Sequence, residues 1–290
     1  DARRHPPIRA DARKGDRGRL LIIGGGPYHG APILAGLAAE RSGCDLIHLA
    51  MPTDAVERAE WPLSLIPEAI PDTSHLTSLS VGPILDRVLT GRGCQAVLIG
   101  PGLGREDASI DAVCEIIEKL VESNIPLIID ADAIRALPSH AWPTGMVGVV
   151  TPHATEMAHW LGASDPAEIL QIRARRDGIA RVVEDESCVI VRTGAEDELW
   201  APGGRHCFAI GGHARMSVGG TGDLLSGCIA GLIAQGMSPW AASRLGCALL
   251  RSAGASAAIE FGPGLSASDV PAHIARTLAK WTGQDADRDA

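Results

Sequence analysis

Short apolar runs alternate along the chain with stretches that have helical spacing. The apolar runs fall within residues 19–26, 45–52, 96–104, 126–134, 147–153 and 188–194. The second run closes at Pro52, and the others lead into glycine or polar residues. Residues 31–43, after the first run, repeat apolar positions at helical intervals and then reach a glycine. This alternation is typical of βαβ units, so we expect an α/β fold with a central, mostly parallel sheet and helices on both faces.

The last third of the chain has a different pattern. Residues 198–210 predict a small β patch, and three successive helices are predicted at 223–236, 239–260 and 266–281. Ser266 or Ser268 is the expected cap of the last helix. Residues 1–18 are predicted to be an N-terminal lead-in and residues 283–290 a flexible tail, so we expect one catalytic domain over residues 19–282.

Composition favours a protein that acts on small molecules. The 290 residues, 46% of them hydrophobic, suffice for one large core, and a net charge of -9 disfavours nucleic acid or an anionic membrane as partner. The apolar run over residues 224–234 is too short for a bilayer span. Seven cysteines without a CxxC pair favour reduced thiols and a cytoplasmic location. The chain begins without methionine, so we expect upstream residues, and its start lacks the apolar core of a secretory signal.

A glycine-rich turn at residues 216–227, "MSVGGTGDLLSG", holds a single acid just before an apolar helix. Asp223 could serve as an ordinary acid in the first turn of that helix. However, a capping acid does not need Gly219, Gly220 and Gly222 beside it. Glycines let backbone N–H groups approach an anion closely, so the turn favours an anion site with Asp223 as a base.

Other common phosphate and nucleophile motifs are absent from the sequence. There is no GxxxxGK[ST], and none of the three lysines follows a glycine-rich loop that ends a strand. The "GGGP" after the first apolar run is not GxGxxG, and Pro27 disfavours the turn of a Rossmann dinucleotide site. No GxSxG motif is present, which leaves hydrolase chemistry without a nucleophile.

Polar residues at two further strand ends are candidate ligand contacts. His153, Glu156 and His159 could suggest a metal site, but successive steps of three drift by about 60° around a helix, which disfavours it. His153 is more simply a ligand contact at the sheet edge, with a surface histidine as the alternative. Asp130 and Asp132 either position a ligand or a metal-bound water, or cap the next helix.

Five ordered stretches of this chain together resemble the ADP- or ATP-dependent NAD(P)H-hydrate dehydratases of the ribokinase-like superfamily. The resemblance extends from about Lys14 to Trp281. The stretches are "GGGPYHGAPILAGLAAERSGCDLIHLAMP", "VLIGPGLGRE", "LIIDADAI", "VVTPHATEMAHWLG" and "MSVGGTGDLLSGCIAGLIAQGMSPWAA".

The resemblance implies repair of hydrated nicotinamide cofactors. In that reaction ADP or ATP phosphorylates the 6-hydroxyl of hydrated NADH or NADPH, and the ring nitrogen then helps to expel phosphate so that the double bond returns. Such chemistry requires a carboxylate base, amide donors around the phosphoryl group and a divalent cation, here Mg²⁺. The choices of ADP or ATP, and of NADH or NADPH hydrate, stay open.

The resemblance also implies roles for individual residues, with Asp223 as the catalytic base. The implied hydrate pocket consists of Ala31, Gly104, His153 and Asp223. The implied nucleotide site consists of Thr193, Gly194, Ala195, Glu196, Asp197, Gly219, Gly220, Thr221 and Gly222.

The chain departs from the family pattern at several positions. Thr193 stands where the family usually has a lysine, with Arg192 one residue earlier, and Thr155 stands where a glycine is usual. Three residues before the glycine-rich turn also differ, namely His213, Ala214 and Arg215. None of these departures touches Asp223.

Two other hypotheses remain beside the dehydratase. A ribokinase-like kinase acting on a hydroxymethyl group of a vitamin precursor would keep Asp223 as base and release a phosphorylated product. A nucleotide-sensing module would bind nucleotide without consuming it. We also expect a homo-oligomer, with a tetramer as one candidate, no nucleic-acid or membrane partner, and an epimerase either upstream or separate.

Overall fold

The computed structural model describes residues 2–90, 93–139, 141–162 and 188–283. Within these residues, nine strands form one sheet in the order β3-β2-β1-β4-β5-β6-β7-β8-β9. The strands are β1 (Arg19–Ile23), β2 (Leu46–Pro52), β3 (Ile66–Ile70), β4 (Ala96–Ile99), β5 (Leu127–Ile129), β6 (Gly148–Val150), β7 (Cys188–Arg192), β8 (Asp197–Ala201) and β9 (Arg205–Ala209). Pairing is parallel through β7 and antiparallel for β8 and β9, which confirms the predicted mostly parallel sheet.

Helices cover both faces of this sheet. They are α1 (Gly30–Arg41), α2 (Thr53–Arg58), α3 (Ser78–Leu89), α4 (Asp107–Glu122), α5 (Ala154–Trp160), α6 (Thr221–Ala234), α7 (Pro239–Phe261) and α8 (Val270–Thr282). Successive residues of β1 point to opposite faces: Leu20 packs in the core under α1, α6, α7 and α8, and Leu21 packs in the core under α3, α4 and α5. Burial on both faces explains why the strand sequences are continuous apolar runs.

Helices α1 and α6 approach each other until their backbones touch. A Cβ atom added at Gly227 would overlap the carbonyl oxygen of Ala35, and one added at Gly231 would lie 2.8 Å from the carbonyl oxygen of Ala39. Only glycine fits such a contact, so these two positions fix how the start of α6 stands over the sheet.

The structure describes nearly all of the predicted N-terminal lead-in but little of the predicted C-terminal tail. Ala2 packs against the core beneath α8, so part of the predicted lead-in lies on the domain. Residues 284–290, most of the predicted tail, lie outside the described residues. Ser266, one of the two expected caps of the last helix, is the N-cap residue of the 3-10 turn Ala267–Asp269, whereas the N-cap residue of α8 itself is Asp269. No helix in the described ranges is long and apolar enough to cross a bilayer.

Candidate active site

The glycine-rich turn leads directly into α6, as the sequence predicts. Gly220, at the N-cap position, has a φ of 97°, a left-handed conformation that favours glycine. A Cβ there would also lie 2.5 Å from Leu34 Cδ1. The helix begins at Thr221, and every residue from Leu224 to Ala234 is buried. The turn therefore presents backbone N–H groups and the positive end of the helix dipole at the carboxyl edge of the sheet.

Asp223 lies partly buried in the first turn of α6. Among the described residues, no group donates a hydrogen bond to its carboxylate, which is contrary to an acid that caps a helix. Burial, with a smaller contribution from the nearby charge of Asp130, raises the pKa of Asp223 to about 7. A carboxyl group that titrates near neutrality can both accept and return a proton.

Two cavities adjoin this first turn, and different residues of the turn line each of them. The Ala31 cavity, of about 610 Å³, is lined by Ala31, Gly102, Asp132, Gly219, Gly220 and Asp223 among others. The Thr193 cavity, of about 640 Å³, is lined by Thr193, Gly194, Ala195, Asp197, Thr221 and Gly222 among others. The start of α6 thus adjoins two spaces, each large enough for part of a nucleotide-sized ligand.

The four residues predicted to form the hydrate pocket do not all line the same cavity. Ala31 and Asp223 line the same cavity. Gly104 lies beside it, because its N–H donates to Asp132 Oδ2 at 3.2 Å and Asp132 lines that cavity. His153 lines the Thr193 cavity and a third cavity of about 450 Å³ beside Trp160.

The nine residues predicted to bind the nucleotide are also distributed over more than one cavity. Six of the nine line the Thr193 cavity, but Gly219 and Gly220 line the Ala31 cavity. Glu196 is exposed and is not among the residues that line either cavity.

Asp130 and Asp132 make contacts other than helix capping. Asp130 is buried after β5, and Thr151 Oγ1 donates to its Oδ1 at 2.7 Å. The Asp130 side chain makes no capping hydrogen bond to the 3-10 turn Ala131–Ala136. Asp132 accepts from the Gly104 N–H and from Arg105 Nε, each at 3.2 Å. Asp132 therefore fixes the loop after β4 at the edge of the Ala31 cavity.

His153 is the N-cap of α5 and forms a capping box with Glu156. Its Nδ1 accepts from the backbone N–H groups of Thr155 and Glu156, at 3.1 and 3.2 Å, so Thr155 contributes through its backbone. Burial lowers the pKa of His153, which favours the neutral ring with its proton on Nε2. The sequence hypothesis of a ligand contact stays a prediction, and the structure adds a capping role.

The residues that the structure describes contain no group of three or more His, Cys, Asp or Glu side chains able to hold a metal ion. This applies to the His153, Glu156 and His159 set considered from the sequence. Magnesium bound to nucleotide phosphates needs only one or two protein carboxylates, because phosphates and water supply its other ligands. A metal here would therefore enter with a nucleotide, not in a protein cage.

Arg251 on α7 is a residue of this region that the sequence analysis missed. Its Nε donates to Asp197 Oδ2 at 2.8 Å, and its Nη atoms donate to the carbonyl oxygens of Gly194, Ala195 and Gly211 at 2.8 to 2.9 Å. One guanidinium thus joins the loop after β7 to the segment after β9. The available signal was an arginine close in sequence to buried apolar residues of this helix, Leu249, Leu250 and Ala253.

The family follows from comparison with known proteins. Residues 20–276 match a family model described as NAD(P)H-hydrate dehydratase. This chain belongs to that family. It is 34% identical over 239 residues to an ADP-dependent (S)-NAD(P)H-hydrate dehydratase of Cenarchaeum symbiosum, which covers 81% of this chain and 79% of that protein.

Longer members of the NAD(P)H-hydrate dehydratase family also match. The chain is 36% identical over 276 residues to a bifunctional NAD(P)H-hydrate repair enzyme of Hyperthermus butylicus, covering 92% of this chain and 49% of that enzyme. The chain thus spans about half the length of that relative. The fold matches a Bacillus subtilis ADP/ATP-dependent NAD(P)H-hydrate dehydratase co-crystallised with ATP and Mg²⁺, with a TM-score of 0.79, 24% identity and coverage of 97% and 96%. This likeness confirms the ribokinase-like fold.

The departures from the family pattern can now be located. Thr193 lines its cavity and holds its place through an N–H bond to the Pro152 carbonyl oxygen. Arg215 Nη1 donates to the carbonyl oxygen of Ala258 at 3.1 Å. His213 lines the Thr193 cavity and accepts from the Arg215 N–H. The missing lysine therefore leaves the Thr193 cavity without a lysine side chain among the residues that line it.

Proposed function

We propose that this chain is a nucleotide-dependent dehydratase that restores NADH or NADPH from their 6-hydroxy hydrates. The proposal rests on one observation above all. Asp223, a carboxylate that no described group hydrogen-bonds, lines the Ala31 cavity at the positive end of α6, and Thr221 and Gly222 of the same turn line the Thr193 cavity. Family membership supports the choice of substrate and reaction.

In the first step Asp223 accepts the proton of the hydrate hydroxyl. A bond then forms between that oxygen and the terminal phosphorus of ADP or ATP, while the phosphorus–oxygen bond to the rest of the nucleotide breaks. The amides of Gly219 to Gly222 and the dipole of α6 stabilise the charge on the transferring group. Magnesium, when bound, neutralises part of the phosphate charge.

In the second step the ring nitrogen donates its electron pair and the bond between C6 and oxygen breaks. Asp223 returns its proton to the departing phosphate, and the released phosphate then takes a proton from C5, whose bonding electrons form the restored double bond. A carboxyl group with a pKa near 7 suits both transfers, because it is neither a very weak base nor a very weak acid at neutral pH.

We assign the two cavities on the same basis. The Ala31 cavity would take the hydrated ring, because Ala31 and Asp223 line it and Gly104 adjoins it. The Thr193 cavity would take the nucleotide, with its terminal phosphate toward Thr221 and Gly222. His153 Nε2 would donate a hydrogen bond to ligand at the boundary of the Thr193 cavity. A homo-oligomer, a cytoplasmic location and an epimerase partner also remain proposals.

The direct test incubates the protein with hydrated NADH or hydrated NADPH, Mg²⁺, and ADP or ATP in parallel reactions. We expect the absorbance of the restored dihydronicotinamide to rise in a nucleotide-dependent way. A stable phosphorylated product without that absorbance would favour the vitamin-precursor kinase. Nucleotide binding without consumption would favour the sensing module.

A further inference from the structure

A second acid, Asp130, is buried beside the first turn of α6. It is 6% exposed, and Thr151, which donates to its Oδ1 at 2.7 Å, is 3% exposed. The backbone of Asp130 is fixed as well, because its N–H donates to the Ile99 carbonyl oxygen at 3.0 Å. A Cβ at Gly100 would overlap the Asp130 carbonyl oxygen, so the two strand ends are in contact. Asp130 therefore has no room to move away from its neighbours.

Ser226 connects this acid to Asp223. It is fully buried on α6, and its Oγ lies 3.2 Å from the Asp223 carbonyl oxygen. Because a hydroxyl carries one proton, Ser226 Oγ donates either to that carbonyl oxygen or to the neighbouring Asp130 carboxyl group. The charged or titratable groups that face Asp130 in the described residues are Asp223 on α6, and Glu156 and His153 at the start of α5.

The two acids differ in how readily they ionise. Burial raises the pKa of Asp130 to about 6, although hydrogen bonds from Ser226 and Thr151 oppose the rise. Burial and, to a smaller extent, the Asp130 charge together raise the pKa of Asp223 to about 7. Thr151 donates to the Asp130 carboxyl group whereas no described group donates to that of Asp223, so the negative charge is favoured on Asp130 and opposes ionisation of Asp223.

We propose that Asp130 is a positioning residue whose fixed charge, held by Thr151 and Ser226, makes Asp223 a stronger base for the hydrate hydroxyl. This inference rests on the proposed function. Asp223 takes the hydroxyl proton as the new oxygen–phosphorus bond forms, and the same proton leaves with phosphate when the C6–oxygen bond breaks. Asp130 exchanges no proton with substrate, so it acts only through Asp223.

The first test needs no substrate. Asp130→Asn removes the charge and keeps an oxygen that can accept from Thr151. We expect the titration midpoint of the Asp223 carboxyl, followed by ¹³C NMR, to fall by about one pH unit, the usual effect of a neighbouring like charge. Thr151→Val should lower it less, because it only weakens the ionised form of Asp130. An unchanged or higher midpoint in Asp130→Asn overturns the proposal.

Asp72→Asn is the matched control. Asp72 is also 6% exposed and accepts hydrogen bonds from Thr77 and Ser80 hydroxyls, but it follows β3 at the edge of the sheet. We expect no change in the Asp223 midpoint in this variant. If Asp130→Asn does not fold, the Thr151→Val titration decides, and an unchanged midpoint there counts against the proposal.

The second test uses turnover of hydrated NADH. In Asp130→Asn the acidic limb of the kcat profile should move to lower pH, and kcat at pH 7.5 should fall several-fold while the KM for nucleotide is unchanged. If the NMR midpoint of Asp223 shifts but the acidic limb of the kcat profile does not, the claim that Asp130 influences catalysis is overturned. A shifted midpoint in a protein without dehydratase activity would reject the proposed function and leave the coupling between the acids standing.

Discussion

Arg192 Nη2 donates a hydrogen bond to Glu198 Oε2 at 3.2 Å, and both side chains are nearly buried. Glu198 also contacts His206 Nε2 at 2.9 Å. This pair turns the guanidinium toward β8, and Arg192 is not among the residues that line the Thr193 cavity. Arg215 donates to a backbone carbonyl on α7. Neither arginine therefore replaces the lysine that the family usually has at position 193.

Thr193→Lys should restore that charge. We expect nucleotide binding to tighten by on the order of 1 kcal/mol, the value of a partly exposed ion pair. Calorimetric titration with ADP and ATP measures it. Thr193→Met, with a side chain of similar length and no charge, is the control, and equal affinity for both variants would contradict the expectation.

Asp223→Asn tests the proposed base. The amide keeps the shape of the side chain but cannot accept the hydroxyl proton, so turnover should fall by roughly 10² to 10⁴. Nucleotide affinity should hold or increase, because a negative charge beside the phosphates is lost. Asp107→Asn, in the first turn of α4, is the matched control and should leave turnover intact. An active Asp223→Asn protein would show that the acid serves the helix alone.

The same Asp223→Asn variant should change how stability depends on pH. The pKa of Asp223 is about 7 when folded, against about 4 when unfolded, so the folded state binds more protons in between. The contribution of Asp223 to stability therefore decreases as pH rises from about 4 to about 7. At pH 8 we expect the variant to exceed the parent by on the order of 2 kcal/mol in urea unfolding, with the difference vanishing near pH 4. A capping role instead predicts a loss of about 1 kcal/mol.

Arg251→Lys tests the clamp on the loop after β7. Lysine keeps the charge but cannot reach four acceptors in a fixed plane. We expect nucleotide affinity to fall roughly tenfold, equivalent to about 1.4 kcal/mol. Arg244→Lys, on the same helix above Trp240, is the control. Equal affinities of the two variants would show that the loop keeps its shape without the clamp.

Deleting residues 1–9 should leave turnover nearly unchanged. The segment contacts the domain through Ala2 and through His5, whose Nε2 lies 3.2 Å from the Ser42 carbonyl oxygen after α1. The His5 contact lies at the opposite end of α1 from Ala31, and the turn that contains Ala2 contacts α8. We expect only a modest fall in melting temperature, and a large loss of activity in a folded truncation would assign the segment a part in catalysis.

The central strands could be predicted because burial on both faces requires a continuous apolar sequence. Strand β3 was missed, since its sequence "IPEAI" contains Pro67 and Glu68. Glu68 pairs with His48 and with Arg87 on one face of this edge strand, so the polarity that hid the strand has a tertiary cause. A single sequence does not show that cause.

In the candidate site, too, residues that are adjacent in sequence could be predicted, whereas residues joined only by tertiary contacts could not. Asp223 could be found because its glycines and its helix are adjacent in sequence. The contacts of Arg251 join residues up to 57 positions apart, and those of Asp130 join the ends of separate strands. His153 lies where predicted, but its capping box was unexpected because Ser, Thr, Asp and Asn are the usual N-caps.

The contact of Gly227 and Gly231 with α1 restricts which changes this protein tolerates. Any side chain larger than hydrogen at Gly227 would push the helix, and Asp223 with it, away from the loops that face it. New acceptor specificity is therefore accessible through Pro27, Tyr28 and His29, which line the Ala31 cavity in the loop before α1 begins. Selection or engineering for other hydroxyl substrates should accumulate substitutions in that loop and leave the two glycines unchanged.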